Sequence, residues 1–169
     1  ACGYGMDERP GVEADDLIAA AAKALVERGD EALIASADKD LAQCIRPGVT
    51  QILPPPTANP RIGWRLLDEA GVEAKFGVPP ERIIDYLALV GDSVDNIPGV
   101  NKCGPKTAVK WLQSYDNLDN VIEHADDIKG KIGEYLRDAT ETLPLSRELA
   151  TIRTDVELDF GLEDLKLRE

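Results

Sequence analysis

One histidine, three cysteines and one methionine are all that 169 residues contain of nitrogen and sulfur side-chain ligands for soft or borderline metals. A single imidazole, His124, cannot build a histidine-rich metal centre, and it reads as a surface helix residue. Cys2, Cys44 and Cys103 have no metal-ligand spacing and are odd in number, so reduced thiols of a cytosolic protein are expected. No apolar run approaches the roughly 20 residues of a membrane span, and no charged-then-apolar leader opens the chain. The expectation is a soluble, cytoplasmic protein with no membrane partner.

Basic side chains are scarce too, 19 against 32 acidic ones, for a net charge of −13. Spread evenly, that charge would repel a polyanion. The charges are not spread evenly. From Gly99 to Leu112 the only charged residues are Lys102, Lys106 and Lys110, whereas the acids form compact groups. A basic stripe beside an acidic pocket suits an enzyme that uses metal ions to approach phosphate.

With 43% hydrophobic residues the chain can bury a sizeable core. Leu17, Ile18, Ala21, Ala22 and Leu25 recur at helical spacing between Ala14 and Arg28. Ala32–Ser36 and Val49–Leu53 read as short buried strands, the second stopped by Pro54-Pro55-Pro56. This is the grammar of an α/β layer over residues 1–60. Residues 61–149 read as a helical subdomain, with helices at Leu66–Phe76, Pro80–Val90, Pro105–Ser114, Leu118–Ala125 and Gly130–Leu143. Residues 150–169 open with an alternating β-branched stretch, Ala150–Val156, that reads as a strand returning to the sheet.

Three acid groups carry the chemistry. Glu13, Asp15 and Asp16 stand at a helix start, where acids stabilise the N-terminus and cap it. Asp15 and Asp16 are also crowded enough to need a neutralising cation. Asp38 and Asp40 follow the first strand directly, at the carboxyl edge where α/β sheets place ligands. A capped turn explains them equally well. A phosphatase-like Asp-x-Asp pair does not fit, because Leu41-Ala42-Gln43 continues as a helix. Asp92 and Asp95 are three apart and would share one face of a helical turn. All are hard oxygen ligands of the kind that Mg²⁺ or Mn²⁺ prefers. Two such ions activate water and stabilise the leaving oxygen of a phosphodiester.

Immediately after Asp95 comes Ile97-Pro98-Gly99-Val100-Asn101-Lys102-Cys103-Gly104-Pro105-Lys106-Thr107. Gly99 and Gly104 flank a turn between helices, and Pro105 suits a first helical position. Amides at that helix start, with Lys106 and Thr107, offer contacts to phosphate rather than to bases. A plain helical hairpin with solvated lysines is the competing reading.

Four segments in this order and spacing, "GVEADD", "SADKDLAQ", "DYLALVGDSVDNIPGV" and "GPKTAVKWL", resemble the 5′-3′ exonuclease (5′-nuclease) domain of bacterial DNA polymerase I, in the flap-endonuclease superfamily. "LSRELATIRTDVEL" resembles that family's closing helix and return strand. The resemblance implies a PIN-like parallel-sheet core, here incomplete, with a helix-three-turn-helix subdomain. It implies that Glu13, Asp15, Asp16, Asp38, Asp40, Asp92 and Asp95 hold two Mg²⁺ or Mn²⁺ ions. Gly99, Lys102, Gly104, Lys106, Thr107 and Lys110 would then grip duplex or branched DNA carrying a 5′ flap, with K⁺ held by loop carbonyls. Where the family often has Gly-x-Gly, this chain has Lys102-Cys103-Gly104. The family's opening strand, with its own metal-binding Asp, and its basic helical arch find no match before Gly11. The expectation is a fragment whose parent carries polymerase domains, either part of a flap-cutting nuclease or a DNA-binding remnant that does not cut.

Overall fold

The computed structural model describes residues 5–165. Helix α1 (Ala14–Glu27) leads into strand β1 (Ala32–Ala35), and a single helical turn at Asp40–Cys44 carries the chain to β2 (Val49–Leu53). β1 and β2 are parallel, with Ala32 opposite Val49 and Ala35 opposite Ile52. A third strand, β3 (Arg65–Leu67), pairs antiparallel with β2, giving the order β1-β2-β3.

The sequence predicts helix from Leu66 to Phe76, and here the structure differs. Leu66 and Leu67 belong to β3, and helix α2 spans Glu69–Phe76. Asp68 sets that start, because its carboxylate accepts the Gly71 amide at 2.8 Å and caps the helix. The sheet layer therefore continues past residue 60.

Helices α3 (Ile83–Val90), α4 (Pro105–Tyr115), α5 (Leu118–Glu123), α6 (Lys131–Ala139) and α7 (Leu143–Ala150) complete the fold, with α3 packed against both α4 and α7. Ile83, Leu87, Leu89, Leu118, Leu136 and Leu143 are fully buried, and each such side chain contributes about 1.5–3 kcal/mol of transfer free energy. The same core takes in Ala42, Ile45, Leu53 and Leu67 from the sheet region, so the helical half packs directly on the sheet layer. A smaller cluster joins Ala22 of α1 to Ala32, Ile34, Leu41 and Val49, with Ile152 packed against it. Ala19, Ala20 and Ala22 are the buried residues of α1.

The opposite sheet face is only partly covered, Thr50 and Ile52 of β2 being half-buried. Leu33 of β1 and Leu66 of β3 point away from the core and are 60% and 68% exposed. The alternation that buries Ala32, Ile34, Val49, Gln51, Leu53 and Leu67 forces their neighbours outward.

The predicted return strand at Ala150–Val156 is not a strand. Two of its backbone amides are taken by side chains instead of a ladder. Gln43 accepts the Ile152 amide and donates to the Ala150 carbonyl, each at 2.9 Å, and Asp16 accepts the Arg153 amide at 2.8 Å. The segment docks beside the acid groups without pairing to the sheet. His124 is half-buried, stacked on Tyr115 with 5.1 Å between ring centres. Among the described residues, no helix is long and apolar enough to cross a membrane.

Candidate functional site

The first acid group enters from α1. Glu13 occupies the N-cap position, but its side chain caps nothing. The capping role that the sequence allows is therefore not what Glu13 does. The second group sits in the turn after β1, whose shape is held by four hydrogen bonds. The Asp38 amide donates to the Ser36 hydroxyl at 3.0 Å, and the Asp40 amide donates to the Asp38 carboxylate at 3.0 Å. From β2, the fully buried Gln51 reaches across and donates to the Ser36 and Asp38 carbonyls, both at 2.8 Å.

Glu13, Asp15, Asp16, Asp38, Asp40 and Asp95 line one cleft of about 780 Å³, closed on its other side by Glu148–Arg153. Three chain segments that are far apart in sequence thus present carboxylates to a common space. Their mutual effect is legible at Asp15. Its pKa is raised, first by burial and then by the negative charges of Asp38, Asp40, Glu13 and Asp16. Asp40 is raised as well, by burial, although Lys39 pulls it back.

Asp92 departs from expectation. Residues 92–97 form no helical turn. Asp92 and Ile97 pair across a tight loop, with the Asp92 amide donating to Ile97 at 2.9 Å and the Ile97 amide returning at 2.8 Å. The helical spacing that would put Asp92 and Asp95 on one face is therefore absent. Asp95 lines the acid cleft, whereas Asp92 lines an adjoining hollow between Val90 and Pro98. There the Asp92 carboxylate accepts from Lys39 Nζ at 2.6 Å and from the Val94 amide at 2.8 Å, which holds its pKa below the usual carboxylate range.

Among the described residues, no group of three His, Cys, Asp or Glu side chains converges tightly enough to cage a metal ion. The donor set nevertheless fits hard divalent cations, being all carboxylate oxygen. One oxygen is conspicuously short of partners. Asp40 Oδ1 is buried and has no well-aligned hydrogen bond, although Lys39 Nζ lies 3.1 Å away.

The hairpin follows directly. Gly99 is buried at its base, with φ +62°, and a Cβ there would lie 2.6 Å from the Gly91 nitrogen. Gly99 therefore shapes the hairpin from inside. Gly104 is the N-cap of α4 and accepts the Thr107 and Ala108 amides at 3.0 and 3.1 Å. Pro105 contributes no N–H and the Thr107 amide is already used, so the helix start offers less to an anion than the sequence implies. The lysines carry the charge instead. Lys102, Lys106, Thr107 and Lys110 line a groove of about 700 Å³ against Asp127, Ile128 and Lys129. None of these four lysines has an ion pair among the described residues.

Four contributors escape a reading of the sequence. A polar Gln51 inside an apolar strand is a visible signal, and so is Lys39 between two aspartates. Gln43 is an ordinary helix residue until its two bonds to the 150–152 segment are seen. Lys129 carries no local signal, since only folding brings it across from α4.

Comparison with known proteins agrees with this geometry. Residues 1–77 match the family model described as "5′-3′ exonuclease, N-terminal resolvase-like domain", and residues 78–169 match "5′-3′ exonuclease, C-terminal SAM fold". The 5′-3′ exonuclease of Aquifex aeolicus is 38% identical over 98% of this chain and 54% of its own length. DNA polymerase I of Rhizobium leguminosarum is 42% identical over 95% of this chain and 15% of its own. The chain thus spans about half of the first relative and a small part of the second. A crystal structure of the phage T5 D15 protein with metal ions superposes with a TM-score of 0.73, at 26% identity, over 86% of this chain and 53% of that one. The T5 D15 flap endonuclease in complex with DNA and metal ions gives 0.73 at 25% identity, over 86% and 52%. With both halves matched in order and the fold shared, this chain belongs to the 5′-3′ exonuclease family.

Proposed function

We propose that this chain is the metal-binding and duplex-gripping part of a 5′-3′ exonuclease or flap endonuclease that hydrolyses DNA phosphodiester bonds at 5′ flaps and primers. The observation that carries the reading is the gathering of six carboxylates from α1, the β1 turn and the 92–97 loop around one cleft. The loop that delivers Asp95 runs on into a groove lined by unpaired lysines. The reading draws further support from the T5 relatives, which were crystallised with metal ions and with DNA.

Glu13, Asp15, Asp16, Asp38, Asp40 and Asp95 would hold Mg²⁺ or Mn²⁺, two ions in all, with Asp92 in reserve beside them. Divalent ions bound there supply Lewis-acid charge to the attacked phosphate and lower the pKa of water. The chain's own residues do the rest. Gln51 fixes the turn that aims Asp38 and Asp40, and Gln43 and Asp16 anchor the segment that walls the cleft. Lys102, Lys106 and Lys110 neutralise phosphates of the duplex, giving sequence-independent, salt-sensitive binding. Carbonyls of the hairpin loop are the place for K⁺. Polymerase domains in the same parent chain belong to this reading, as does a division into an α/β part and a helical part.

The test is cleavage of a labelled 5′-flap duplex with Mg²⁺, comparing the wild-type chain with Asp15→Asn and Asp38→Asn. Cleavage lost in both variants, with DNA affinity kept within about twofold, is the expected result. A wild-type chain that binds the flap duplex with a steep salt dependence but never cuts it would limit the protein to structure-selective binding.

A further inference from the structure

Lys39 lies between the two hollows of the site. Its ammonium reaches Asp92 Oδ2 at 2.6 Å and Asp40 Oδ1 at 3.1 Å. Asp40 lines the acid cleft and Asp92 lines the adjoining hollow. The two carboxylates come from elements more than fifty residues apart, and this one side chain ties them together. It is the only cationic side chain ion-paired to any of the seven acids among the described residues. Arg153 also borders the cleft, but its guanidinium pairs with Asp155 at 3.2 Å, and only its backbone amide touches Asp16.

Three features distinguish this contact from an ordinary surface ion pair. The carboxylates are largely enclosed, at 18% and 16% side-chain exposure, while the lysine is 43% exposed and has a path back to solvent. Asp40 Oδ1 receives no aligned hydrogen bond from it, so one end of the bridge is poorly satisfied. The third feature is its position, since one of its partners lines the acid cleft and the other lines the hollow beside it. A monovalent ammonium neutralises two of the crowded carboxylates. A divalent ion would neutralise more, and could bring Asp92 toward the others once the lysine lets go.

We propose that Lys39 is a resident counter-cation, a positioning residue that holds Asp40 and Asp92 while the site lacks metal and is displaced from them when a divalent ion binds. This rests on the metal reading above. Displacement requires the metal to compete against the lysine, so apparent metal affinity is reduced by the fraction of chains in which the lysine is already released. Removing the ammonium while keeping the bulk of the stem, as in Lys39→Met, removes that competition. A purely structural tether would have the opposite effect, because loosening Asp40 and Asp92 would weaken metal binding.

The experiment is calorimetric titration of the metal-free wild-type chain, Lys39→Met and Lys39→Arg with Mn²⁺ alone. The expected result is about tenfold tighter Mn²⁺ binding by Lys39→Met, with Lys39→Arg close to wild type because it keeps the charge. Weaker or unchanged binding by Lys39→Met overturns the inference while leaving the metal reading intact. A wild-type chain that binds no Mn²⁺ overturns both. Because Lys39→Met could fold poorly, the wild type supplies a second readout, the nitrogen-15 signal of the Lys39 ammonium during Mg²⁺ titration. A hydrogen-bonded signal that is lost to solvent exchange as Mg²⁺ binds supports displacement, and one that persists at saturation refutes it.

Discussion

Gly99→Ala should open the base of the loop that carries Asp92 and Asp95, and its cost can be worked from two independent contributions. The first is conformational. Gly99 has φ +62°, and an L-residue in the left-handed region costs roughly 1–2 kcal/mol. The second is steric. The new methyl would sit 2.6 Å from the Gly91 nitrogen, 2.7 Å from its Cα and 2.8 Å from the Val90 carbonyl carbon. All three are backbone atoms and cannot rotate away, so the chain must shift, at roughly 1–3 kcal/mol. Together these give about 2–5 kcal/mol, a large part of a typical domain's stability of about 5–15 kcal/mol. Urea denaturation followed by the fluorescence of the buried Trp111 reads this directly, and a slope near 2 kcal/mol/M translates it into a midpoint lowered by about 1–2.5 M. Gly104→Ala is the control. A Cβ at Gly104 meets nothing within 4 Å and its φ is −90°, leaving only the loss of a favourable N-cap, at most about 1 kcal/mol. Equal midpoints for the two variants would refute the reasoning, because the Gly91–Gly99 contact would then have no energetic consequence.

Lys106→Ala and Lys129→Ala should each weaken binding of duplex DNA of any sequence and reduce the slope of log K against log salt by about one unit; an unmoved slope for Lys129→Ala would confine the DNA track to α4. The thiols give a pH prediction. Burial pushes Cys44 up to about 11, with the Asp15 charge helping, and Cys103 up to about 12. In a Cys2→Ser variant at about pH 8, roughly one thiol in a thousand or fewer would be thiolate, so labelling by a disulfide reagent should accelerate steeply only on unfolding. Fast labelling of the native chain would contradict the burial of these residues. Asp85 tests the helical half. It is 8% exposed and accepts the Leu118 amide at 3.0 Å, so Asp85→Ala should cost about 1–3 kcal/mol by orphaning that amide. Asp85→Asn keeps an acceptor and should cost less in the same denaturation assay; the reverse order would mean that the charge, through Arg147, matters more than the bond.

Helices α1, α3, α4 and α5, β1 and β2, the acid groups and the lysine stripe were legible in the residue order, because each depends on local rules, whereas the helix expected over Gly130–Leu143 ends at Ala139 and α7 was implied only by the family resemblance. Apolar spacing marks α1, β-branched runs bounded by proline mark β2, and a stretch free of acids marks the hairpin. The misreadings fell where a distant partner decides. Leu66 and Leu67 have the pattern of a helix start, but pairing with Gln51 and Ile52 makes them a strand. Residues 150–156 alternate like a strand, yet Gln43 and Asp16 take the amides that a ladder would need.

The same division holds for the site. Residue order alone marks which residues are candidates, since carboxylates at three places and lysines at a fourth are facts of composition and order. Which of them meet depends on how the chain packs. Packing puts Asp95 with Glu13, Asp15, Asp16, Asp38 and Asp40, turns Asp92 into the next hollow, and sets Lys39 between Asp92 and Asp40. Spacing along a chain fixes direction only within a regular element. The loop from Asp92 to Ile97 is irregular, closed by its own backbone pair and by the contact of Gly91 with Gly99, and its Asp92 carboxylate is held by Lys39 from 53 residues away, so no spacing rule sets where its carboxylates point.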